Sequence, residues 1–402
     1  MSTRRILYMQ PSELFGGAER QIATVLPELQ RQGAEVTALV GPGRTIVEWL
    51  QNAGVSDVVH SSTFPRDDSD VHGFEVLAYP GEFLAKAHAA EREVEALIED
   101  RKIEVVLAGM AFSWLSATPA ARRKGVPVIW RAGGMELSAL QRTVLPLWAR
   151  RNPPDALIGN GDAVRDLFSP LIPAPAYVVR NGVDTHLFRP GAAKGTMRPA
   201  GVGPVIGFAG RLAPQKRPQD FLAMAARIAA RHSEVQFLIA GDGSRRPAYE
   251  KLAAKLGISA RVHFLGQVED MRAFYASCDL LVLPSRSEGS PNVVLEAMAM
   301  KLAVVASDTP ATREVVTHLR DGILFPVGDV DKLTDAVDLS VSLPELRTML
   351  AARALRKVRG PLSAGVSAAT LSDVFESVLQ GSGRREVAIP AVAAAAAVAA
   401  IG

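Results

Sequence analysis

Residues 280–301 read LLVLPSRSEGSPNVVLEAMAMK, and their reading decides the fold. Leu280-Leu281-Val282-Leu283 is wholly apolar, as a strand buried on both faces of a parallel sheet must be. A Ser- and Gly-containing loop follows. Ser290 is placed to cap a helix and Pro291 to take its first position, where a missing N–H costs nothing. Glu288 falls in the loop and Glu296 nearly two turns into the helix. The neighbours of Glu296, namely Val293, Val294, Leu295, Ala297 and Met298, leave it little solvated face. Backbone N–H groups at a helix start attract anions, and an adjacent carboxylate suits sugar or ribose hydroxyls because it accepts several hydrogen bonds. A β-α unit with a surface acid is the plainer reading, and the apolar setting of Glu296 argues against it.

Outward from this unit, strands and helices alternate. Toward the N-terminus, strands are expected at Val205–Phe208, Val235–Ala240 and Val262–Leu265, with helices through Phe221–Arg231, Ala248–Leu256 and Met271–Ala276. Ala303–Ala306 and Gly322–Phe325 continue the series, with a short helix near Thr312–Val316. Such alternation predicts a parallel sheet covered by helices on both faces, with ligands at the C-terminal strand ends. Four successive strand ends carry small or ionic groups: Gly210-Arg211 through Lys216, Gly241-Asp242-Gly243, Gly266-Gln267, and Glu288. Arg211 and Lys216 on one loop suit a diphosphate, since Arg grips two oxygens and Lys supplies a point charge.

The first half repeats the pattern. Arg5–Met9 is a strand. A helix begins near Gly17, with Ala18, Ile22, Val25, Leu26 and Leu29 on one face, and Gly33 ends it. Gly16 and Gly17 allow a ligand close to backbone at that helix start. Further strands are expected at Glu35–Val40, Ile103–Ala108, Val126–Trp130, Ala156–Gly159 and Tyr177–Val179, with helices at Glu82–Asp100 and Trp114–Lys124. Met135–Arg151 reads as a helix interrupted at Pro146, with Arg142, Arg150 and Arg151 between apolar residues. It suits a core-facing helix with a basic outer side, or alternatively an anionic membrane surface. Ser61–Gly81 is irregular. Its Asp68-Ser69-Asp70 reads as a solvated loop rather than a metal site, and Asp329-Val330-Asp331 as a helix cap. No metal site is expected.

The chain has 402 residues, too many for one ordinary core, so two domains are expected. Arg189–Pro204, rich in Pro, Gly and Ala, reads as their connection. The resulting division is 1–190, 191–364, a returning helix at 365–380 and an Ala-rich tail at 381–402. A net charge of +3 is too weak to argue for nucleic acid. The single Cys278 excludes an internal disulfide framework and fits a reducing, cytoplasmic compartment. Nothing approaches the roughly 20 strongly apolar residues of a membrane span; Ala388–Ile401 is too short, and a frayed helix or loose tail is expected there.

Six stretches in order carry a resemblance: NGVDTHLFRP (181–190), FAGRLAPQKRP (208–218), FLIAGDG (237–243), VHFLGQV (262–268), EGSPNVVLE (288–296) and GILFPVGDVDKL (322–333). Together with Gly16-Gly17-Ala18-Glu19-Arg20 they resemble the retaining nucleotide-sugar glycosyltransferases of family four. The resemblance implies the GT-B fold, an α/β architecture of two Rossmann-like doubly wound domains facing across a cleft. It also implies a C-terminal helix, around Leu371–Leu379, that crosses back to the first domain. The implied activity is metal-free transfer of a sugar, with retention, from a nucleoside diphosphate donor, UDP-linked by expectation, to an acceptor hydroxyl. The implied acceptor is a small molecule, a saccharide or a lipid-linked saccharide of cell-envelope or polysaccharide assembly. Peripheral contact with the inner face of the membrane goes with the last of these.

The resemblance assigns roles as well. Arg211 and Lys216 would hold and stabilise the departing diphosphate, Glu296 would bind the ribose hydroxyls, and Glu288 would face the donor sugar. Backbone groups of Gly289, Ser290, Pro291, Asn292 and Val293 would touch sugar and phosphate. Gly241, Gln267 and Val268 would line the donor site, and Gly16 and Gly17 would close over the diphosphate. One departure stands out. Members often carry a His at a strand end of the first domain, whereas here those ends read LAGMAF (107–112) and WRAGGME (130–136). The rival readings are another GT-B enzyme, such as a sugar-nucleotide epimerase, and a sugar-nucleotide-binding protein without catalysis.

Overall fold

The computed structural model describes residues 4–11, 17–41, 44–64, 80–134, 137, 139–193, 195–199 and 203–381. The chain divides into two compact units, Met1–Gly182 with Ala364–Gly402, and Val183–Ser363.

The first unit is built on a seven-stranded sheet. Its strands are β1 (Arg5–Gln10), β2 (Glu35–Val40), β3 (Asp57–His60), β4 (Val105–Gly109), β5 (Val128–Ala132), β6 (Ala156–Gly159) and β7 (Ala176–Val178), in the order β3-β2-β1-β4-β5-β6-β7. The second holds a six-stranded sheet of β8 (Val205–Ala209), β9 (Gln236–Ala240), β10 (Val262–Gly266), β11 (Leu280–Leu283), β12 (Ala303–Ser307) and β13 (Ile323–Phe325), in the order β10-β9-β8-β11-β12-β13. Every pairing within the two sheets is parallel. Both sheets are doubly wound, with the strand order reversing between β1 and β4 and between β8 and β11. Each is therefore Rossmann-like, as expected.

Central strands read as unbroken apolar runs because helices cover both faces. On one face of the first sheet, Ile6, Leu107 and Ile129 pack with Ile22 and Leu26 of the helix Gly17–Arg31 and with Leu371 and Phe375 of the helix Ala364–Leu379. The other face meets Val94 of the helix Pro80–Asp100 and Trp114 of the helix Met110–Arg123. The C-terminal helix thus belongs to the first unit. Tyr177 Oη and Ser377 Oγ lie 3.3 Å apart, Ser367 Oγ donates to Arg180 O at 2.7 Å, and Arg4 pairs with Glu376.

Local signals set the helix ends. Gly33 takes φ +94 just after the first helix, a conformation costly for any side chain. Asp329 caps the helix Val330–Ser342 by accepting from Lys332 N at 2.9 Å, so the second Asp-x-Asp stretch is a cap, as read. The helices Arg44–Asn52, Asp162–Phe168 and Pro344–Arg359 are additional to the sequence reading, as is the edge strand β3, whose four residues DVVH carry only two apolar side chains. Pro146 does not interrupt its helix: Ala139–Arg151 runs through it. Trp148 anchors that helix, stacking on Trp130 at 5.3 Å, which in turn stacks on Trp114 at 5.0 Å. Gly16, Asp68-Ser69-Asp70, Met135, Glu136 and the Ala-rich tail lie outside the described residues. Among the described residues no helix is long and apolar enough to cross a membrane.

Candidate active site

In the second unit the strands that end in the predicted donor residues are neighbours. β10, β9, β8 and β11 lie side by side and parallel, so Gln267 and Val268, Gly241, Arg211 and Lys216, and Glu288 share one sheet edge. The strand order reverses between β8 and β11, where open α/β sheets bind their ligands.

Backbone bonds fuse these loops. Gly210 N donates to Ala240 O at 2.9 Å, Leu212 N to Asp242 O at 2.9 Å, and Gly241 N to Gly266 O at 2.7 Å. The approach is so close that a Cβ on Gly241, which has φ +140, would lie 2.0 Å from Gly210 O. Glycine is required there both by space and by conformation.

Lys216 ends a short 3-10 turn, Pro214–Lys216. Two bonds tie this turn to the β11 loop: Arg286 N to Gln215 O at 2.8 Å, and Gln215 Nε2 to Ser287 O at 3.0 Å. They place Lys216 opposite Glu288. The ammonium Nζ donates to Glu288 Oε1 at 2.6 Å and Oε2 at 2.9 Å. The Glu288 side chain is 6% exposed and that of Lys216 22%. Two residues singled out separately thus meet across the point where strand order reverses. Arg211 is exposed and forms no ion pair among the described residues. Arg217 instead turns away, with φ +51, to pair with the buried Asp220 at 2.5 Å.

The helix after β11 starts one residue later than expected. It spans Asn292–Ala299, with Pro291 rather than Ser290 at the cap position and no side-chain cap bond. Proline sits outside the first turn because Asn292 N bonds Ser290 O at 3.0 Å and tightens the entry. Glu296 is therefore the fifth helical residue, just over one turn in. It is 4% exposed, and its Oε2 accepts from Tyr275 Oη at 2.6 Å. Sequence reasoning passed over Tyr275 as part of a core helix. A buried Tyr needs a partner for its hydroxyl, but nothing in the local sequence says that the partner is Glu296. Gly289, Ser290 and Val293 are partly exposed beside these acids.

In the first unit, β1 and β4 flank the corresponding reversal. Gly17 opens the helix that follows β1. At the end of β4, Met110 takes φ +67, and a Cβ on Gly109 would fall 2.6 Å from Gln10 Oε1. Gln10 is buried, accepts from Tyr8 Oη at 2.7 Å and points Nε2 at Met110 Sδ, 3.1 Å away. At the end of β5, Arg131 donates to Asn181 Oδ1 at 3.1 Å. Asn160 follows β6 and donates Nδ2 to Gly133 O at 3.1 Å, while its Oδ1 is buried without a partner. No described His stands at the end of β4 or β5. His232 pairs with Asp338, His263 with Gln236, and His318 accepts from Leu324 N.

Among the described residues no group of three or more His, Cys, Asp or Glu is arranged to hold a metal. What the second unit offers is a cation, an acid paired with it, a second buried acid and Gly-lined backbone on one edge. Those groups can meet a diphosphate and hydroxyls.

Comparison with known proteins agrees in kind. Residues 203–341 match the family described as glycosyl transferases group 1, and residues 15–187 match glycosyltransferase family 4. A lipopolysaccharide core biosynthesis mannosyltransferase, LpcC of Rhizobium leguminosarum bv. viciae, is 32% identical over 252 residues, 60% of this chain and 70% of that one. A GDP-mannose-dependent alpha-mannosyltransferase of Mycobacterium tuberculosis is 28% identical over 340 residues, 80% of this chain and 83% of that one. Among solved structures, Anabaena Alr3699/HepE in complex with UDP and glucose superposes with a TM-score of 0.74 at 19% identity, covering 93% of this chain and all of that one.

Proposed function

We propose, on the premise that this chain belongs to the group 1, family 4 glycosyltransferases, that it moves a sugar with retention from a nucleoside diphosphate donor to an acceptor hydroxyl, without a bound metal. The observation that carries this reading is the contact of Lys216 with Glu288 on the strand-end loops. A cation suited to a leaving diphosphate lies there beside an acid suited to sugar hydroxyls, which supports the reading. Arg211, exposed on the same loop, supplies a second cation. Fixed cations of this kind stabilise charge as it develops on the leaving group.

The acceptor oxygen attacks the anomeric carbon from the face the diphosphate leaves. The bond from that carbon to the diphosphate oxygen breaks, and the hydroxyl proton passes to the departing diphosphate. The acceptor oxygen is itself the nucleophile in this step, so the proposed route uses no covalent intermediate on the protein.

The donor expectation widens. Relatives include one named as GDP-mannose-dependent, and the similar Anabaena structure holds UDP and glucose. UDP-sugars remain the first donors to test and GDP-mannose the second. The acceptor proposed is a saccharide of envelope glycan assembly, the setting named for the Rhizobium relative. Incubation with UDP-glucose, UDP-N-acetylglucosamine or GDP-mannose, followed by nucleotide release and anomeric analysis of the product by NMR, tests the reading. Release of nucleoside diphosphate with a retained anomer supports it. An inverted product sinks the mechanism, and an isomerised sugar nucleotide formed without acceptor would make the protein an epimerase.

A peripheral membrane contact, at the inner face, draws support from the helix Ala139–Arg151. Val144 and Leu147 of this helix are 49% and 53% exposed. Arg142, Arg150 and Arg151 accompany them, and the helix contains no acid. Apolar residues rimmed by cations suit an anionic surface. Co-sedimentation with anionic vesicles, lost in the Val144→Ser/Leu147→Ser variant, is the expected result. Equal binding to neutral vesicles would refute it.

A further inference from the structure

We infer that Tyr275 is a positioning residue for donor recognition. Its hydroxyl fixes the plane of the Glu296 carboxylate so that the acid meets the two ribose hydroxyls together. The inference rests on the proposed role of Glu296 as the ribose-binding acid.

The geometry is specific. Tyr275 Oη lies 2.6 Å from Glu296 Oε2, and the two residues are 1% and 4% exposed. The tyrosine hydroxyl donates and the carboxyl oxygen accepts. The terminal torsion of a glutamate is broad and roughly two-fold, so a hydrogen bond to one oxygen narrows the planes that the carboxylate takes. Two adjacent hydroxyls bind well only to a carboxylate whose oxygens face them in one plane. A carboxylate accepts at about four positions, so one edge can rest on Tyr275 while a diol takes the other.

Tyr275 is itself held on several sides. Its ring packs edge-on against Phe188 at 6.2 Å and Phe274 at 5.4 Å. Its helix, Met271–Ser277, is capped by Asp270, which accepts from Arg272 N at 3.0 Å, and the Tyr275 carbonyl accepts from Cys278 N at 3.2 Å. A phenol clamped at ring and backbone can orient what it touches, whereas a mobile one could not. Phe188 belongs to the stretch NGVDTHLFRP, far from the acids in sequence, and this contact gives it a place in the same construction.

The test uses calorimetric binding of UDP and GDP and of their 2′-deoxy and 3′-deoxy forms. For whichever nucleotide the wild type binds, it should prefer the ribo form by roughly tenfold or more, the scale of a hydrogen bond to a charged group. Tyr275→Phe keeps the ring packing and should narrow that preference to about threefold or less. Its affinity for the deoxy forms should stay within about twofold of wild type. In a Glu296→Gln background, Tyr275→Phe should add little, since residues acting through one contact are non-additive. If Tyr275→Phe weakens ribo and deoxy forms alike, or leaves the wild-type preference intact, Tyr275 is only a core residue and the inference is overturned. If the wild type itself treats ribo and deoxy forms alike, or binds neither nucleotide, the ribose role of Glu296 fails first and takes this inference with it.

Discussion

Lys216→Ala and Glu288→Gln should move nucleotide affinity in opposite directions. The ammonium makes two short bonds to Glu288, so a diphosphate must compete with that carboxylate for the same cation. Removing Lys216 takes away a charged hydrogen-bond donor, an effect of about 1.5–3 kcal/mol, or roughly 10- to 100-fold in dissociation constant. Replacing Glu288 by Gln frees the ammonium, and affinity for UDP or GDP should hold or rise while sugar transfer falls. The two variants also differ in stability. Lys216→Ala leaves the carboxylate of Glu288, 6% exposed, without its counter-ion. Breaking a fully buried pair costs about 3–5 kcal/mol. Because the Lys216 side chain is 22% exposed and water can reach the pair, about 1–3 kcal/mol is the expectation. Calorimetric titration of the nucleoside diphosphate, beside urea denaturation of each variant, reads both quantities. If Glu288→Gln weakens nucleotide binding as much as Lys216→Ala does, the pair is a structural unit and the diphosphate role of Lys216 is wrong.

Three further outcomes can be stated. Gly241→Ala should destabilise the second unit and abolish nucleotide binding; the backbone conformation alone costs about 1–3 kcal/mol, and the added Cβ would meet Gly210 O at 2.0 Å. Thermal denaturation near the wild-type midpoint would show that the loops relax more easily than their bonding implies. Chelation of divalent ions should leave sugar transfer intact, and a strict metal requirement would remove the cation-based mechanism. Burial, reinforced by the charge of Asp279, pushes the Cys278 thiol well above its ordinary range. The folded state thus favours the protonated thiol. Its contribution to stability is complete below the unfolded thiol pKa of about 8.5 and is lost as pH rises above it. Native protein should resist thiol reagents at pH 8 and react fully in denaturant; rapid native labelling would contradict the burial.

Much of the fold was legible because parallel sheets buried on both faces write themselves as apolar runs. Leu280–Leu283 and Val205–Ala209 show no alternation and match the observed strands within a residue. What escaped lacked that mark. β3 has two apolar residues in four and sits at a sheet edge, so little burial is recorded in its sequence. Pro146 was read as a break, yet the stacked Trp148 and Trp130 supply packing that carries the helix through the missing N–H. The cap after β11 was misjudged by one residue because Ser-Pro is a good helix entry in isolation. Here the chain tightens between Ser290 and Asn292 instead.

The candidate site divides along the same physical line. Strand-end residues were legible because a charge or glycine against an apolar strand is visible locally. Their partners were not, because the contacts join distant parts of the chain. Lys216 and Glu288 are 72 residues apart, and only the adjacency of β8 and β11 brings them together. Glu296 needed the reverse correction. Its apolar neighbours marked it as buried, but a buried acid must be satisfied by something, and the sequence gives no direct sign that this is Tyr275. The first unit offers the converse case. The end of β5, one of the two where the resemblance led us to look for a histidine, holds Arg131 on Asn181, and the end of the neighbouring β6 holds Asn160 on Gly133. Neither an amide nor a guanidinium is a useful base near neutral pH. The proposed mechanism, in which the departing diphosphate takes the acceptor proton, is compatible with these described residues, whose polar groups can position an acceptor hydroxyl.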